Sequence, residues 1–377
     1  MLSIVLGTFF GDCGKGQTVN NICKAFTERK ESAIVIRFSG GPQVGHNVDH
    51  NNIHHCFSNF GSGTLLNIPT YWSEFCLVDP FTAILERDVL KSKGVKPEII
   101  YSPRCELITP FDVWYQWGNV KNREHGTVGV GIKSALDRIK NGYSLTISDA
   151  QNLLVLREKL KSIQTNYYKM SGIIKNDFSI DKYIEGVYDY VNNVELKTPE
   201  QLKKENKYFH KIFEGSQGIL LDQKHGIMPW CTPSNTTSKN AIELLRRMGY
   251  LEGGYLLPID IYYVCRPYIT RHGPGPLLTS TSVLEVEDEN NTYNEYQKSF
   301  RSCEFDTNLL RHSTNIDKLY NSDLNNNINI RRYITFSHGE ELDEELENKI
   351  KIEFEDFGFL KFEYEKILEF VDVKGKR

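Results

Sequence analysis

The chain has little of what marks membrane, secreted or nucleic-acid-binding proteins. No apolar run approaches the roughly 18 residues that a membrane-spanning helix needs. The apolar start has no basic segment before it and no cleavage site after it, so we expect a core strand rather than a signal peptide. A formal net charge of −4, from 45 basic and 49 acidic residues, argues against a general binder of nucleic acid or membrane surfaces. The eight cysteines include no Cys-x-x-Cys pair, which favours a reducing cytoplasm over a disulfide framework.

The sequence also has no Pro/Ser-rich linker and no internal repeat. With 377 residues and 40% hydrophobic content, it can fill one large core. We expect a single domain over 1–377, with surface insertions near 285–295 and 315–330. Strand and helix patterns alternate, which predicts an α/β fold with a large, mostly parallel central sheet flanked by helices. The predicted strands are 2–6, 32–38, 98–101, 211–214 and 254–264, and the predicted helices are 17–28, 80–92, 133–140, 149–162 and 238–248.

Residues 2–17 are the most informative stretch. A buried strand runs into a loop with four glycines, whose backbone N–H groups and Lys15 would form a nest for a polyphosphate, a P-loop-like nucleotide-binding architecture. The spacing of the standard phosphate loop is missing, because six residues instead of four separate Gly7 from Gly14. The longer loop places the Asp12 carboxylate inside the cradle. A carboxylate opposes anion binding there unless it holds Mg²⁺ or takes a proton from a second substrate.

A second Gly-rich turn, residues 39–46, follows the second predicted strand and ends in His46. It lies where ligands bind in open α/β sheets, so His46 is a candidate acid or a hydrogen-bond donor to a phosphate. Four histidines and a cysteine in this region allow zinc as an alternative, although the stretch does not have a helical pattern that would align them. These residues are His46, His50, His54, His55 and Cys56.

Four later turns carry groups suited to nucleotides, although each is weak alone. They are 126–131, 214–218, 229–237 and 270–276. The first is a candidate phosphate loop, and the last places a basic group in a Gly/Pro turn at the end of a strand.

Taken together and in this order, the segments over roughly 1–280 resemble the adenylosuccinate synthetase family. The resemblance implies a ligase that uses Mg²⁺ and a nucleoside triphosphate to join L-aspartate to C6 of a 6-oxopurine nucleotide, typically as a homodimer. The matching pieces are Leu6-Gly7-Thr8, Gly11-Asp12, Gly14-Lys15-Gly16, Gly40-Gly41, Gly45-His46, Glu214-Gly215, Gln217-Gly218, Leu220-Leu221-Asp222, His225-Gly226, Ser234-Asn235-Thr236-Thr237, Thr270-Arg271, Gly273 and Gly275-Pro276.

The resemblance also implies roles. Asp12 would remove the N1 proton so that O6 attacks the γ-phosphate, and His46 would donate toward the departing β-phosphate. Mg²⁺ would be held by Asp12 and the carbonyl of Gly45, while Lys15 would stabilise phosphoryl charge. The remaining nucleotide or substrate contacts implied are Gly11, Gly14, Gly16, Gln17, Gln43, Thr127, Val128, Gln217, Thr232 and Arg271.

The C-terminal third departs from the family. The family has an arginine-rich loop that binds the substrate aspartate, and here only Lys298 and Arg301 remain as partners for its carboxylates. Residues 336–339 replace the family's segment that recognises the guanine base of the triphosphate. Gly142 falls near the position where the family has an arginine that contacts the monophosphate bound to the neighbouring subunit. These departures resemble phage enzymes that make 2-aminoadenylosuccinate from dGMP, which would place the chain in a host cytoplasm. Those of the best-known type carry Ser where this chain has Asp12.

Several interpretations therefore remain open. Asp12 slightly favours IMP as the acceptor and the C-terminal third favours dGMP, while the donor is GTP, ATP or dATP. A nucleotide-binding regulator without ligase activity is suggested by the reduced aspartate loop. A metallohydrolase using the His46–Cys56 cluster is a third function class.

Overall fold

The computed structural model describes residues 1–118, 129–171, 179–251, 257–278, 283–284, 300–322, 324 and 328–373. Within them the strands are β1 (Leu2–Gly7), β2 (Ala33–Arg37), β3 (His46–His50), β4 (Ile53–Phe57), β5 (Thr70–Trp72), β6 (Leu77–Val78), β7 (Ile99–Tyr101), β8 (Glu106–Leu107), β9 (Glu195–Leu196), β10 (His210–Glu214), β11 (Ile259–Cys265), β12 (Tyr268–His272), β13 (Val283–Leu284), β14 (Phe300–Glu304), β15 (Ile330–Ser337), β16 (Gly358–Glu363) and β17 (Lys366–Val371).

Helices separate most of these strands. They are α1 (Lys15–Glu28), α2 (Pro80–Ser92), α3 (Pro110–Gly118), α4 (Ile132–Lys140), α5 (Ile147–Ala150), α6 (Leu153–Ser171), α7 (Ile180–Asn192), α8 (Pro199–Lys204), α9 (Lys239–Arg247), α10 (Thr307–Lys318) and α11 (Glu344–Glu353). Three short 3₁₀ turns cover Thr64–Leu66, Ile219–Leu221 and Gly339–Glu341.

The central sheet has ten strands in the order β17-β16-β15-β11-β1-β10-β2-β5-β7-β9. Every neighbouring pair is parallel except the terminal β16–β17 hairpin. The predicted α/β fold with a mostly parallel sheet flanked by helices is therefore confirmed.

β1 lies at the centre of this sheet and is buried along its whole length. Leu2, Ile4 and Leu6 pack into the larger hydrophobic cluster, whereas Val5 packs into a second one with residues of α1. Alternate side chains of a strand point to opposite faces, so the uninterrupted apolar run reflects burial on both faces. This fixes the start of the loop that follows Gly7.

The parallel register brings the carboxyl ends of β1, β10, β2, β11 and β15 to one edge of the sheet. The turns that follow these strands supply most of the glycine-rich segments picked out from the sequence. Ligands bind at this edge in open α/β sheets, so the topology itself gathers the predicted site.

The surface insertion that we expected near 315–330 does not begin at residue 315. The Asn-rich composition predicted a solvated insertion near 315–330, yet 315–318 completes α10. Ile316 and Asp317 are buried there, and the Asp317 carboxylate accepts a hydrogen bond from the backbone N–H of Ser238 at 2.6 Å. The buried face of the helix, which also includes Leu309, Leu310 and Ser313, continues through these residues despite the local polarity.

Two other predicted elements have different bounds. The helix expected over 149–162 is two helices, α5 and α6, because α5 has its own capping box at Thr146 and Asp149. The strand expected over 254–264 begins at Ile259, and 252–256 lie outside the described residues. The insertion expected near 285–295 also lies outside them.

The described helices include none that is long and apolar enough to cross a membrane.

Candidate active site

The loops at the carboxyl edge of the sheet enclose a cavity of about 360 Å³. Twelve of the residues predicted from the sequence line it together: Gly11, Asp12, Gly14, Lys15, Gly16, Gln17, Gln43, Gly45, His46, Gln217, Thr232 and Arg271. Thr127, Val128 and Lys298 lie outside the described residues. Arg301 is described but does not line the cavity.

The floor of the cavity is the turn from β1 into α1. Gly14 caps the helix with φ of 78°, in the left-handed region that favours glycine. A Cβ there would lie 2.5 Å from Cβ of Ser337, so the position also needs the smallest residue. The first N–H groups of α1 have no partner within the helix. Lys15 is buried, and its Nζ lies 3.5 Å from Sγ of Cys13 in the same turn. This arrangement suits a phosphate.

His46 is held by Glu214 across the sheet edge. Its Nδ1 lies 2.7 Å from Oε1 of Glu214, and the backbone N–H of Ser62 donates to Oε2 at 3.1 Å. The Ser62 hydroxyl also donates to this carboxylate. Sequence reasoning included Glu214 only as part of a motif, because its partner lies far away in the chain.

The protonation of this pair follows from its surroundings. Burial alone would raise the pKa of Glu214, but the contact with His46, the Arg37 charge and the Ser62 hydrogen bond hold it well below its usual range. Burial lowers the pKa of His46, and Glu214 offsets this only in part. Glu214 is therefore a carboxylate that accepts a hydrogen bond from Nδ1–H of His46, and Nε2 of His46 is buried without a partner among the described residues.

Asp12 makes a second carboxylate–imidazole pair. Its Oδ2 lies 2.9 Å from Nδ1 of His272, and its backbone has φ of 49°. Burial would raise the pKa of Asp12, but the hydrogen bond from His272 and the charges of Lys15 and Arg266 outweigh it and lower the pKa. Asp12 is thus ionised.

His272 lines the cavity and was missed as a site residue. The available signal was its position directly after Arg271, in a Gly/Pro turn already picked out for its basic group. Nothing local in the sequence links His272 to Asp12, because Asp12 lies near the start of the chain and the two meet only in the folded structure.

The donor set fits Mg²⁺. Asp12 and Gly45 both line the cavity and offer a carboxylate oxygen and a carbonyl oxygen. Mg²⁺ prefers such hard oxygen ligands and is commonly held by one or two carboxylates together with substrate phosphates and water. His272 bonds Oδ2 of Asp12, and Oδ1 remains for a cation. The residues that the structure describes contain no cluster of three or more His, Cys, Asp or Glu suited to a metal, so phosphate and water would complete the coordination.

The histidines proposed as a zinc alternative have separate carboxylate partners. β3 and β4 form an antiparallel hairpin, which the sequence did not predict. His50 pairs with Glu365, His54 with Asp49 and His55 with Glu86, at 2.5, 2.9 and 3.4 Å.

Arg271 and Arg301 brace the same turn. Arg271 donates to the carbonyls of Pro276 and Trp230 at 2.6 and 2.9 Å. Burial and the nearby Arg301 lower the pKa of Arg271 to about 10. Arg301 donates to the carbonyls of Gly273 and Gly275 at 2.6 and 2.7 Å, so it shapes the cavity wall from behind.

Near the phosphate cradle, the cavity is lined by residues from the C-terminal third. Ser337 donates its hydroxyl to the carbonyl of Cys13 at 3.0 Å, which ties β15 to the cradle. The other residues of this wall are His338, Glu340, Phe362 and Tyr364.

Several buried polar atoms along the cavity have no hydrogen-bond partner within the described part of the chain. Buried polar groups are usually paired, so these atoms are available to hydrogen-bond a ligand or water in the cavity. They are His46 Nε2, His272 Nε2, Gln43 Oε1, Gln217 Oε1 and Arg271 Nε.

A parallel sheet with a glycine-rich phosphate cradle at its carboxyl edge defines a nucleotide-binding α/β protein. More particularly, the chain belongs to the adenylosuccinate synthetase family, whose model matches residues 4–333.

Curated relatives support this at moderate identity. The adenylosuccinate synthetase of Shewanella piezotolerans is 30% identical over 307 residues, which cover 77% of this chain and 66% of that protein. The Borrelia duttonii protein of the same name is 28% identical over 297 residues, covering 74% and 64%. The matched region thus spans slightly less than two thirds of these relatives.

Solved structures show the same fold. The fully ligated adenylosuccinate synthetase of Plasmodium falciparum has a TM-score of 0.69 at 18% identity, covering 90% of this chain and 77% of that one. The succinoaminodeoxyadenylate synthetase of cyanophage S-2L, bound to dGMP and to dATP as an energy donor, has a TM-score of 0.66 at 12% identity. The structural match covers 98% of this chain and 95% of the cyanophage protein.

Proposed function

We propose that the protein is a carbon–nitrogen ligase that joins L-aspartate to C6 of a 6-oxopurine nucleotide and hydrolyses a nucleoside triphosphate through a 6-phosphoryl intermediate. The observation that carries the proposal is the convergence of Asp12, Lys15 and His46 on one cavity that also holds buried polar atoms without partners among the described residues. Membership of the adenylosuccinate synthetase family supports it.

The chemistry needs a base and an anion cradle side by side. An oxide ion cannot leave C6, so O6 must first become a phosphate ester. Asp12, an ionised carboxylate, takes the N1 proton, and O6 attacks the γ-phosphorus while the bond to the β-phosphate oxygen breaks. The aspartate amine then attacks C6 and loses a proton, and inorganic phosphate leaves.

Lys15 and the N-terminus of α1 stabilise the phosphoryl charge during the first step. When the triphosphate is bound, its negative charge and Glu214 favour the protonated form of His46, which donates from Nε2 to the departing β-phosphate while Glu214 holds the ring through Nδ1. Mg²⁺ held by Asp12 and Gly45 would neutralise charge on the phosphates when it is bound.

The proposal also covers which purine monophosphate accepts the aspartate and which nucleoside triphosphate donates the phosphoryl group. Asp12 favours IMP as the first candidate, and dGMP is the second, since a carboxylate can also accept from N1–H of guanine. For the donor, Ser337 and His338 stand in the segment that replaces the family's guanine-binding one and can hydrogen-bond in both directions, so we expect ATP or dATP to serve at least as well as GTP. We also expect a homodimer acting in the cytoplasm.

The test is product analysis by mass spectrometry. IMP, dIMP, GMP and dGMP are each incubated with L-aspartate and Mg²⁺, crossed with GTP, ATP and dATP. The proposal expects an aspartate adduct together with phosphate release that needs both aspartate and a 6-oxopurine nucleotide. Phosphate release without either would instead support a nucleotide-binding regulator or a hydrolase.

A further inference from the structure

The cavity has a second cationic end at the start of α4, apart from the turn that begins α1. Ile132 and Lys133, the first two residues of α4, line the cavity. Gly131 caps this helix with φ of 84°, and the first N–H groups of a helix have no partner within it. The Lys133 ammonium adds a full positive charge to these N–H groups, a combination that favours an anion.

Buried contacts fix the position of α4. Arg138 of this helix donates from Nε to the carboxylate of Asp112 at 2.9 Å and from Nη2 to the carbonyl of Leu107 at 2.7 Å. The side chains of Arg138 and Asp112 are both fully buried. Lys133 is therefore presented to the cavity by an anchored helix and not by a free loop.

The segment that carries Thr232 adds two further donors to the cavity. Thr232 and Arg271 both line it and are only 8% and 3% exposed. Nη2 of Arg271 donates to the carbonyl of Trp230 at 2.9 Å, which places the guanidinium beside this segment. Nε of Arg271 is buried and has no partner in the described part of the chain. A guanidinium N–H only donates, so the atom that pairs with it must be an acceptor, such as a phosphate oxygen.

Electrostatic contacts separate the two ends of the cavity. Burial raises the pKa of Asp12, and the charges of Lys15 and Arg266 are among the groups that lower it. Burial also raises the pKa of the Cys231 thiol, and here the opposing charge is that of Lys133. Lys15 and Arg266 thus lie near Asp12, whereas Lys133 lies near Cys231, the neighbour of Thr232.

A purine monophosphate has its reacting atom and its phosphate at opposite ends. O6 is attached to the six-membered ring, whereas the phosphate lies beyond the ribose, which is attached to the five-membered ring. When O6 faces the triphosphate at Lys15 and His46, the phosphate must lie at the other end of the cavity. A phosphate taken out of water there needs opposite charge and hydrogen-bond donors.

We propose that Lys133 binds the 5′-phosphate of the acceptor nucleotide, together with the first N–H groups of α4, the Thr232 hydroxyl and Nε–H of Arg271. The inference rests on the proposed function, because the reaction at Asp12 places the purine ring. It assigns the two lysines of the cavity to different substrates, Lys15 to the triphosphate and Lys133 to the monophosphate.

The experiment measures binding of each substrate alone in crossed variants. Dissociation constants for IMP, for dGMP and for a non-hydrolysable triphosphate are measured by titration calorimetry with Mg²⁺ and without aspartate. Lys133→Ala should weaken binding of the monophosphates by about tenfold or more, as expected for loss of a charge-assisted hydrogen bond, and change triphosphate binding by less than about threefold. Lys15→Ala should give the opposite pattern.

Two further variants control for charge and for the helix itself. Lys133→Arg keeps the charge and should bind the monophosphates within about threefold of wild type. Lys140→Ala removes an equal charge from the exposed last turn of the same helix and should bind like wild type. The inference is overturned if Lys133→Ala weakens both kinds of nucleotide equally, if it weakens neither, or if Lys140→Ala loses as much affinity.

Binding and turnover together distinguish this inference from the proposed function. Binding of a monophosphate that depends on Lys133 supports the inference even if no aspartate adduct ever forms. An adduct that forms with an unchanged KM for the monophosphate in Lys133→Ala supports the proposed function and overturns the inference. If wild type binds neither monophosphate, the inference and the proposed function both fail.

Discussion

His46 and Glu214 are separated by 168 positions in the chain, yet Nδ1 of the imidazole lies 2.7 Å from the carboxylate. The contact exists because β10 is inserted between β1 and β2, so Glu214 ends its strand beside the loop that carries His46. The ring orientation therefore depends on a residue from the middle of the chain.

Glu214→Gln should lower turnover more than it weakens substrate binding. The amide still accepts from Nδ1–H, but its neutral oxygen no longer stabilises the imidazolium that donates to the departing β-phosphate. We expect kcat to fall at least about tenfold, with KM for the triphosphate within about threefold. Steady-state kinetics measure both.

Ser62→Ala is the matched control. It removes a hydroxyl donor to Glu214 but leaves the carboxylate and the backbone N–H contact, so its effect on kcat should be smaller. An equal loss in both variants would mean that the pocket around Glu214 matters and its charge does not.

Asp12→Asn should abolish ligation. The amide cannot accept the N1 proton and is a poorer ligand for Mg²⁺, so we expect a loss of about 10²–10⁴-fold in turnover. Quenched-flow or coupled phosphate-release assays measure it. Residual activity within tenfold of wild type would remove Asp12 from the base role.

Lys15→Ala should weaken both triphosphate binding and turnover, because Lys15 lines the cavity and supplies a buried positive charge in the turn that begins α1. Equilibrium titration with a non-hydrolysable triphosphate measures the affinity. Lys91→Ala, on the exposed last turn of α2, is the charge-matched control and should bind like wild type. Unchanged affinity in Lys15→Ala would place the phosphates elsewhere.

Glu86→Gln tests how the hairpin that carries His46 is anchored. Glu86 of α2 accepts from the backbone N–H groups of Ser58 and Asn59 at 3.0 and 2.6 Å, just after β4. Burial would raise the pKa of Glu86, but these hydrogen bonds and the contact with His55 lower it below its ordinary 4.5. Its stabilising effect is thus present above pH 4.5 and lost progressively below it.

At pH 7 we expect Glu86→Gln to be less stable by about 1–2 kcal/mol, because the amide accepts more weakly than the carboxylate. The gap should narrow near pH 4 and below, where wild type begins to protonate. Denaturant unfolding at the two pH values measures it. A gap that does not change with pH would show that shape, and not charge, anchors the hairpin.

The predictable part of the site is local in the sequence. The strand–loop–helix at 2–28, with Asp12 and Lys15, follows from a buried apolar run and glycine spacing, and the structure brings the other Gly-rich turns to it. His272 and Glu214 acquire their roles only through partners more than 150 positions away, which no local pattern encodes. The sequence predicted Arg301 as a partner for a substrate carboxylate, whereas in the structure it donates to the carbonyls of Gly273 and Gly275 in a turn. Its charge is visible in the sequence, but its contacts are not.

The insertion of β10 between β1 and β2 also governs how the protein can be made. During synthesis β1 leaves the ribosome long before both of its neighbours, β10 and β11. β2 gains β5 early, but its other edge stays open until β10 has been made. The nascent chain must carry buried-type strands with open edges until residue 214 has emerged, a state prone to aggregation. Chaperone binding within that interval would protect the yield of native protein, whereas a translation pause there would prolong the exposure, and a fragment ending before β10 would lack the strand that lies between β1 and β2.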